Sequence, residues 1–295
     1  MSASLRAALW MIGAIVSFSA MAVSGRELKG VLDTFEIMTF RSIIGLVIVA
    51  AMLTFTRRWK DIRTQRIGTH VLRNVAHFTG QNLWLFAVGV APLAQVFALE
   101  FTAPLWVIVL SPLFLGETLT RRRVLCALAG FGGILIVARP GVAELNPGLV
   151  AVAIAAVFFA ITLIATKRLT RHETIGGIMF WLTSIQLVLG LVVAGHDGHI
   201  ALPDATALPY VLIVGIGGLV AHFCIATALS IAPASIVVPF DFARLPAIAI
   251  VAAMIYGEIP DIWVLVGALV IFAANYVNVL GETRRNRVAT AGEAG

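Results

Sequence analysis

Apolar residues fall in ten runs, each near the ~20 residues that an α-helix needs to cross a bilayer. They lie at Ala7–Ser24, Phe35–Phe55, Gly68–Val88, Leu93–Leu115 and Arg122–Val137, then at Pro147–Thr166, Thr174–Gly195, Leu208–Ile231, Ser235–Tyr256 and Asp261–Leu280. Short polar or Gly/Pro-bearing breaks separate them, as at Arg139-Pro140-Gly141 and Asn146-Pro147. The pattern predicts an all-α integral membrane protein with ten transmembrane helices, five on each side of the Arg139–Asn146 linker. The expected boundaries are residues 1–140 for a first five-helix repeat, 141–283 for a second, inverted one, and 284–295 for a short cytoplasmic tail.

The halves share a register. Ala91-Pro92, Glu100-Phe101 and Gly116-Glu117 recur as Ala232-Pro233, Asp241-Phe242 and Gly257-Glu258, always 141 residues on (232 − 91, 241 − 100 and 258 − 117). A unit that crosses the bilayer five times ends on the opposite face, so its copy starts there and is inverted. Flanking charge supports this. Arg121, Arg122 and Arg123 follow Glu117, whereas Glu258 is followed by Asp261 and then by no basic residue for more than twenty positions. Inner loops would hold Arg57, Arg58, Lys60, Arg63, Arg66, Arg121–Arg123, Lys167, Arg168, Arg171, Arg284, Arg285 and Arg287. Outer loops hold only Arg26, Lys29 and Arg139, alongside acids such as Glu27, Asp33, Asp197 and Asp204. By the positive-inside rule both termini face the cytoplasm.

Composition changes this picture little. The 295 residues are 60% hydrophobic and 12% charged, with a mean hydropathy of +0.99. Soluble domains carry about 25% charged residues, so the solvent here is lipid. A net charge of +6 would suit nucleic acid, but the basic residues sit in short loops and not on one soluble face, so no nucleic-acid partner is expected. Cys126 and Cys224 lie inside apolar runs and read as small core residues. The start, Arg6 and Ala7–Ser24 with Ala20-Met21-Ala22, resembles a signal peptide; the repeat requires the segment, so it is read as a retained first helix.

No nucleotide cradle, metal-ligand cluster or nucleophile set is present in the sequence, and no enzymatic activity is expected. Gly130-Phe131-Gly132-Gly133 lies inside a span, where small residues serve close helix packing. Polar residues in the spans are the candidates. His70, Asn74, His77, Gln81 and Trp84 follow spacings of 4, 3, 4 and 3, one face of the third helix. That face must meet a neighbouring helix or an aqueous cavity, because unpaired polar groups are costly against lipid. The repeat partners of Asn74, His77 and Gln81 are Gly215, Gly218 and His222, a small-residue face ending in a histidine. The deep ionisable residues are Arg41, Glu100, Asp241 and Arg244. Glu100 and Asp241 each lie about nine residues, hence ~13 Å, inside their helices. Asp241 and Arg244 can pair at i,i+3; Glu100 has alanine at the equivalent position and needs Arg41 or Arg244. A buried ion network, a contact to a substrate ammonium or carboxylate, and a proton-coupling carboxylate all remain open. Glu117 and Glu258, at helix ends, are expected to orient loops or accept from backbone donors. Among the aromatic residues Trp10, Trp84, Trp106, Phe158, Phe159 and Trp181, only Trp84 continues the polar stripe.

Two five-helix halves, with Ala-Pro before the fourth and ninth helices and Gly-Glu after them, resemble the drug/metabolite transporter superfamily and its EamA-type repeats. The likeness spans about Ala7 to Leu280, and the run Asp241-Phe242-Ala243-Arg244-Leu245-Pro246 looks like one branch. It implies an inner-membrane carrier without cofactors that works by alternating access, with helices three, four, eight and nine around a central cavity. Export of amino acids, including aromatic and other neutral ones, or of related small metabolites is the first expectation. Import of a vitamin, nucleoside or cofactor-like metabolite is the alternative. Protons are the candidate coupling ion, through Glu100 or Asp241. The residues expected to meet substrate are His77, Gln81, Trp84, Glu100, His222, Asp241 and Arg244.

Overall fold

The computed structural model describes residues 3–115, 120–139, 146–169, 172–196, 198–231, 240–241 and 243–292. Among these, α-helix is nearly the only regular structure: α1 Ala3–Glu27, α2 Thr34–Phe55, α3 Ile67–Val90, α4 Leu93–Glu100, α5 Ala103–Leu115, α6 Arg121–Ala138, α7 Pro147–Leu169, α8 Ile175–Ala194, α9 Leu208–Ile231, α10 Arg244–Tyr256 and α11 Ile262–Gly292. A short 3₁₀ turn, Trp59–Ile62, sits between α2 and α3. Local chemistry sets several ends. Asp33 and Glu36 form a reciprocal capping box on α2. Thr120 and Thr174 cap α6 and α8 through their hydroxyls. Gly257, at φ +67°, ends α10 in the left-handed conformation.

The chain is an integral membrane protein. Among the described residues seven helical stretches are long and apolar enough to span, with α4 and α5 counted together as Leu93–Phe114. The remaining three expected spans correspond to α3, thinned in hydropathy by its polar stripe, α6, which opens on three arginines, and α10, whose approach is only partly described. One expectation changes. The fourth span, predicted as one helix, is broken between Glu100 and Ala103. The segment expected as a short tail continues α11 as helix to Gly292.

The break has a local cause. Pro104 has no N–H and its ring crowds the carbonyl of residue 100. Leu105 N–H turns to Thr102 O at 2.9 Å, which frees Phe101 O to accept from Asn275 Nδ2 at 2.8 Å. The start of α5 at Ala103 and the start of α10 at Arg244 are again 141 residues apart (244 − 103), so both copies begin a helix at the same register.

The chain divides into two compact units that cut across the sequence halves. One comprises residues 1–16, 92–145 and 221–295; the other comprises 17–91 and 146–220. In the first, Leu93 N–H at the start of α4 donates to Glu258 Oε2, just past the end of α10, at 2.9 Å. In α6 and α11, a Cβ on Gly133 would lie 2.9 Å from Gly267 O, and one on Gly267 would lie 2.7 Å from Gly133 O. In the second, Gly190 of α8 abuts Thr39 of α2, and Gly45 of α2 abuts Thr183 of α8. The α6–α11 and α2–α8 pairs each set an element against its own counterpart, antiparallel, as an inverted repeat requires, and α4 meets α10 as parts of the corresponding fourth and ninth spans. Also in the second unit, α3 and α7 pack antiparallel, with Arg73 beside Thr166 and Gly80 against Phe159.

Candidate functional site

Arg244 is the centre of the first unit's polar chemistry. Its side chain is 6% exposed. Nη2 lies 3.0 Å from Glu100 Oε1 and 3.4 Å from Asp241 Oδ2. The guanidinium carbon stands 5.2 Å from the Phe97 ring centre and 4.9 Å from that of Phe101. One cation thus faces both midspan acids of the repeat, over two aromatic faces that attract it through their quadrupoles. Formally the cluster carries one excess negative charge. Asp241 Oδ1 is buried with no hydrogen-bond partner among the described residues. That oxygen can accept a proton or a solute donor without breaking either ion pair. A groove of about 290 Å³ lies behind Phe101, lined by apolar side chains including Ala98, Leu245, Pro246 and Phe272. Its wall residue Leu269 is 65% exposed. Such a groove suits hydrocarbon and offers no side chain to orient a polar solute.

The stripe on α3 lies in the second unit. His70, Asn74, His77, Gln81 and Trp84 are all buried, at 0–7% exposure. Asn74 Nδ2 donates to Trp181 O of α8 at 3.3 Å and to His70 O at 2.8 Å. Asn74 is therefore a cross-link between helices. The His77 ring centre is 6.2 Å from that of Phe159 on α7, and His70 is 5.9 Å from Trp181. The glycine face of α9 serves packing: Gly215 admits Ile44 and Gly218 admits the guanidinium of Arg41.

The structure therefore distributes the expected site residues over two units. Glu100, Asp241 and Arg244 come together in one, and half-buried His222 belongs to the same unit on α9. His77, Gln81 and Trp84 belong to the other. Of the two candidates for Glu100, Arg244 is the partner; Arg41 instead donates to Gln186 Oε1 at 3.2 Å. Glu258 accepts from a backbone donor as expected, whereas Glu117 falls outside the described residues. Gly130 and Gly133 face Leu105 and Gly267 as close packing requires, while Gly132 faces open space. Both cysteines are buried and free. Three polar residues went unread in the sequence. Arg73 is 5% exposed, donating to Thr166 Oγ1 at 2.7 Å and Asn74 Oδ1 at 3.3 Å. Gln186 is 1% exposed, and Asn275 holds the α4–α5 break. A cation one position off the stripe, and amides inside apolar runs, were the available signals.

Antiparallel helical repeats with a discontinuous span and buried charge at the break define a membrane transport protein. The chain belongs to the EamA-like transporter family, whose model matches it twice, over residues 5–139 and 146–280. An S-adenosylmethionine uptake transporter of Rickettsia bellii is 26% identical over 275 residues, covering 93% of this chain and 94% of that protein. A riboflavin transporter of Vibrio cholerae is 27% identical over 288 residues, 96% of each. A pseudopaline exporter of Pseudomonas aeruginosa is 26% identical over 264 residues, 88% and 90% of the two chains. These relatives are transporters of small molecules, and the S-adenosylmethionine uptake transporter and the riboflavin transporter among them favour the alternative cargo class over amino-acid export.

Proposed function

We propose that this protein imports a vitamin-, nucleoside- or cofactor-like metabolite across the cytoplasmic membrane by alternating access, with both termini in the cytoplasm. The observation that carries this reading is the end-to-end similarity to relatives named for uptake of S-adenosylmethionine and for transport of riboflavin. Both compounds join a nitrogen heterocycle to a hydroxylated chain or ring. Loop charge supports the orientation. The working units of the repeat are residues 1–140 and 141–283, with 284–295 on the cytoplasmic side.

Glu100, Asp241 and Arg244 are assigned to solute or proton binding, with His222 on the same unit. His77, Gln81 and Trp84 are assigned to the solute path on the other. Net negative charge and an unused carboxylate oxygen at Asp241 support proton coupling through Asp241 or Glu100.

Growth rescue tests the reading. A riboflavin auxotroph at limiting riboflavin, and a strain dependent on external S-adenosylmethionine, are expected to grow when the protein is expressed. Rescue of neither, with labelled S-adenosylmethionine, riboflavin and nucleosides all excluded from reconstituted vesicles, would sink it. A second reading, export of amino acids or related metabolites, is favoured by the pseudopaline-exporter relative; it predicts resistance to toxic amino-acid analogues and no rescue.

A further inference from the structure

The 17–91/146–220 unit buries two guanidiniums that no carboxylate of the described residues meets. Arg41 on α2 is 7% exposed and Arg73 on α3 is 5% exposed. Neither forms an ion pair with any described residue: Arg41 Nη1 meets Gln186 Oε1 at 3.2 Å and Met38 Sδ at 3.9 Å, and Arg73 meets Thr166 and Asn74. The two arginines stand on helices that pack against each other, α2 and α3, so their positive charges add. Two acids of the same unit are used elsewhere. Glu36 accepts from the N–H groups of Asp33 and Ala201, and Glu173 accepts from the Thr64 hydroxyl. Buried cations in a membrane normally pair with a carboxylate or face water, so this arrangement is missing a negative charge.

The unused valences indicate where that charge belongs. A guanidinium has only donors, so Gln186 must turn its carbonyl oxygen toward Arg41. Its Nε2 then points away, buried and without an acceptor among the described residues. Arg41 Nε is buried and without an acceptor as well. Gly218 of α9 faces that edge of the guanidinium: a Cβ there would lie 2.8 Å from Nε and 3.0 Å from Nη2. The absent side chain lets the guanidinium lie against the α9 backbone with Nε and Nη2 on that side. Uncompensated charge and unused donors both call for an acceptor that carries negative charge.

We propose that Arg41 and Gln186, with Arg73 adding to the positive potential, form an anion subsite that holds a carboxylate or phosphate of the transported solute. The inference rests on the reading of the chain as a solute importer and narrows it: the cargo carries an acidic group in addition to any heterocycle. S-adenosylmethionine has such a group; riboflavin does not.

The test uses the full-length protein in lipid nanodiscs. Thermal unfolding is followed in sodium acetate, sodium phosphate and sodium chloride at matched ionic strength. A saturable rise in melting temperature is expected with acetate or phosphate and not with chloride. A response to acetate alone assigns a carboxylate, and a response to phosphate alone assigns a phosphoryl group. Arg41→Gln is expected to weaken the response at least tenfold in half-saturating concentration. Gln186→Glu, which gives Arg41 an internal carboxylate, is expected to be at least as stable as the parent and to lose the response. Identical melting in all three salts, or undiminished responses in Arg41→Gln and Gln186→Glu, overturns the proposal. In reconstituted vesicles, uptake of S-adenosylmethionine over its carboxamide is expected to be lost in Arg41→Gln; equal uptake of the two by the parent also overturns it. If neither compound enters while the anion response persists, the importer reading falls and the subsite stands.

Discussion

One arginine serves two copies of one acid. Asp241 to Arg244 is an i,i+3 step, legible from spacing alone, but Glu100 lies 144 positions from Arg244 and finds it only in the folded chain (244 − 100). The first repeat carries Ala103 where the second carries Arg244, so the cluster is asymmetric. Removing the cation leaves two carboxylates in a low-dielectric setting. Arg244→Ala is therefore expected to destabilise by about 3–5 kcal/mol, read by thermal or denaturant unfolding in detergent. Glu100→Gln is expected to cost more stability than Asp241→Asn, because its contact is shorter and its side chain less exposed, at 14% against 28%. Dependence of transport on a pH gradient should disappear in one of these two variants; unchanged dependence in both would return the acids to a structural role. Outside the spans, the Asp204 carboxyl is held below the usual carboxylate range by the Thr206 hydroxyl and then by the Ala207 N–H. A folded value below the unfolded one stabilises the loop above about pH 3.9 and is lost as pH falls through the folded value. Faster amide exchange at Thr206 and Ala207 in Asp204→Ala should accordingly be seen at neutral pH and vanish in acid.

At the scale of elements, hydropathy predicted the helices and missed the break in the fourth. Pro104 was visible, but prolines also sit inside apolar helices, as Pro112 does in α5. What distinguishes Pro104 is the Asn275 amide that satisfies Phe101 O. Pro104→Ala restores the missing N–H and is expected to let α4 and α5 join. Transport should fall while folding is retained, checked by uptake and by slower exchange at residues 103–105. Packing between α6 and α11 depends on the facing backbones of Gly133 and Gly267. A leucine at either should cost about 1–3 kcal/mol or more, whereas Gly132→Leu, where a side chain meets nothing within 4 Å, should melt like the parent. The Gly-rich run could be read as packing from sequence; which glycines carry it could not, because helix rotation is set by the partner.

At the scale of the whole molecule, topology is the prediction. Both native cysteines are buried, so single introduced thiols report sidedness. Arg63→Cys should react with membrane-impermeant maleimide only from the cytoplasmic side and Asp204→Cys only from the outside; the reverse pattern would refute the orientation. Hydropathy, charge asymmetry and the 141-residue offset determined the all-helical membrane class and the inverted repeat without reference to coordinates, and the paired Ala-Pro and Gly-Glu motifs carried the resemblance to the family. They could do so because lipid forces every span to be a long apolar helix and membrane insertion reads loop charge locally. Only the tertiary structure decided that the compact units mix segments of both halves, that Arg244 rather than Arg41 answers Glu100, and that Arg41 and Arg73 find no counter-anion among the described residues. Those are choices of partner between helices far apart in sequence. Pairing energy in a buried site depends on distance, orientation and local dielectric, quantities that a linear pattern of residue types does not contain.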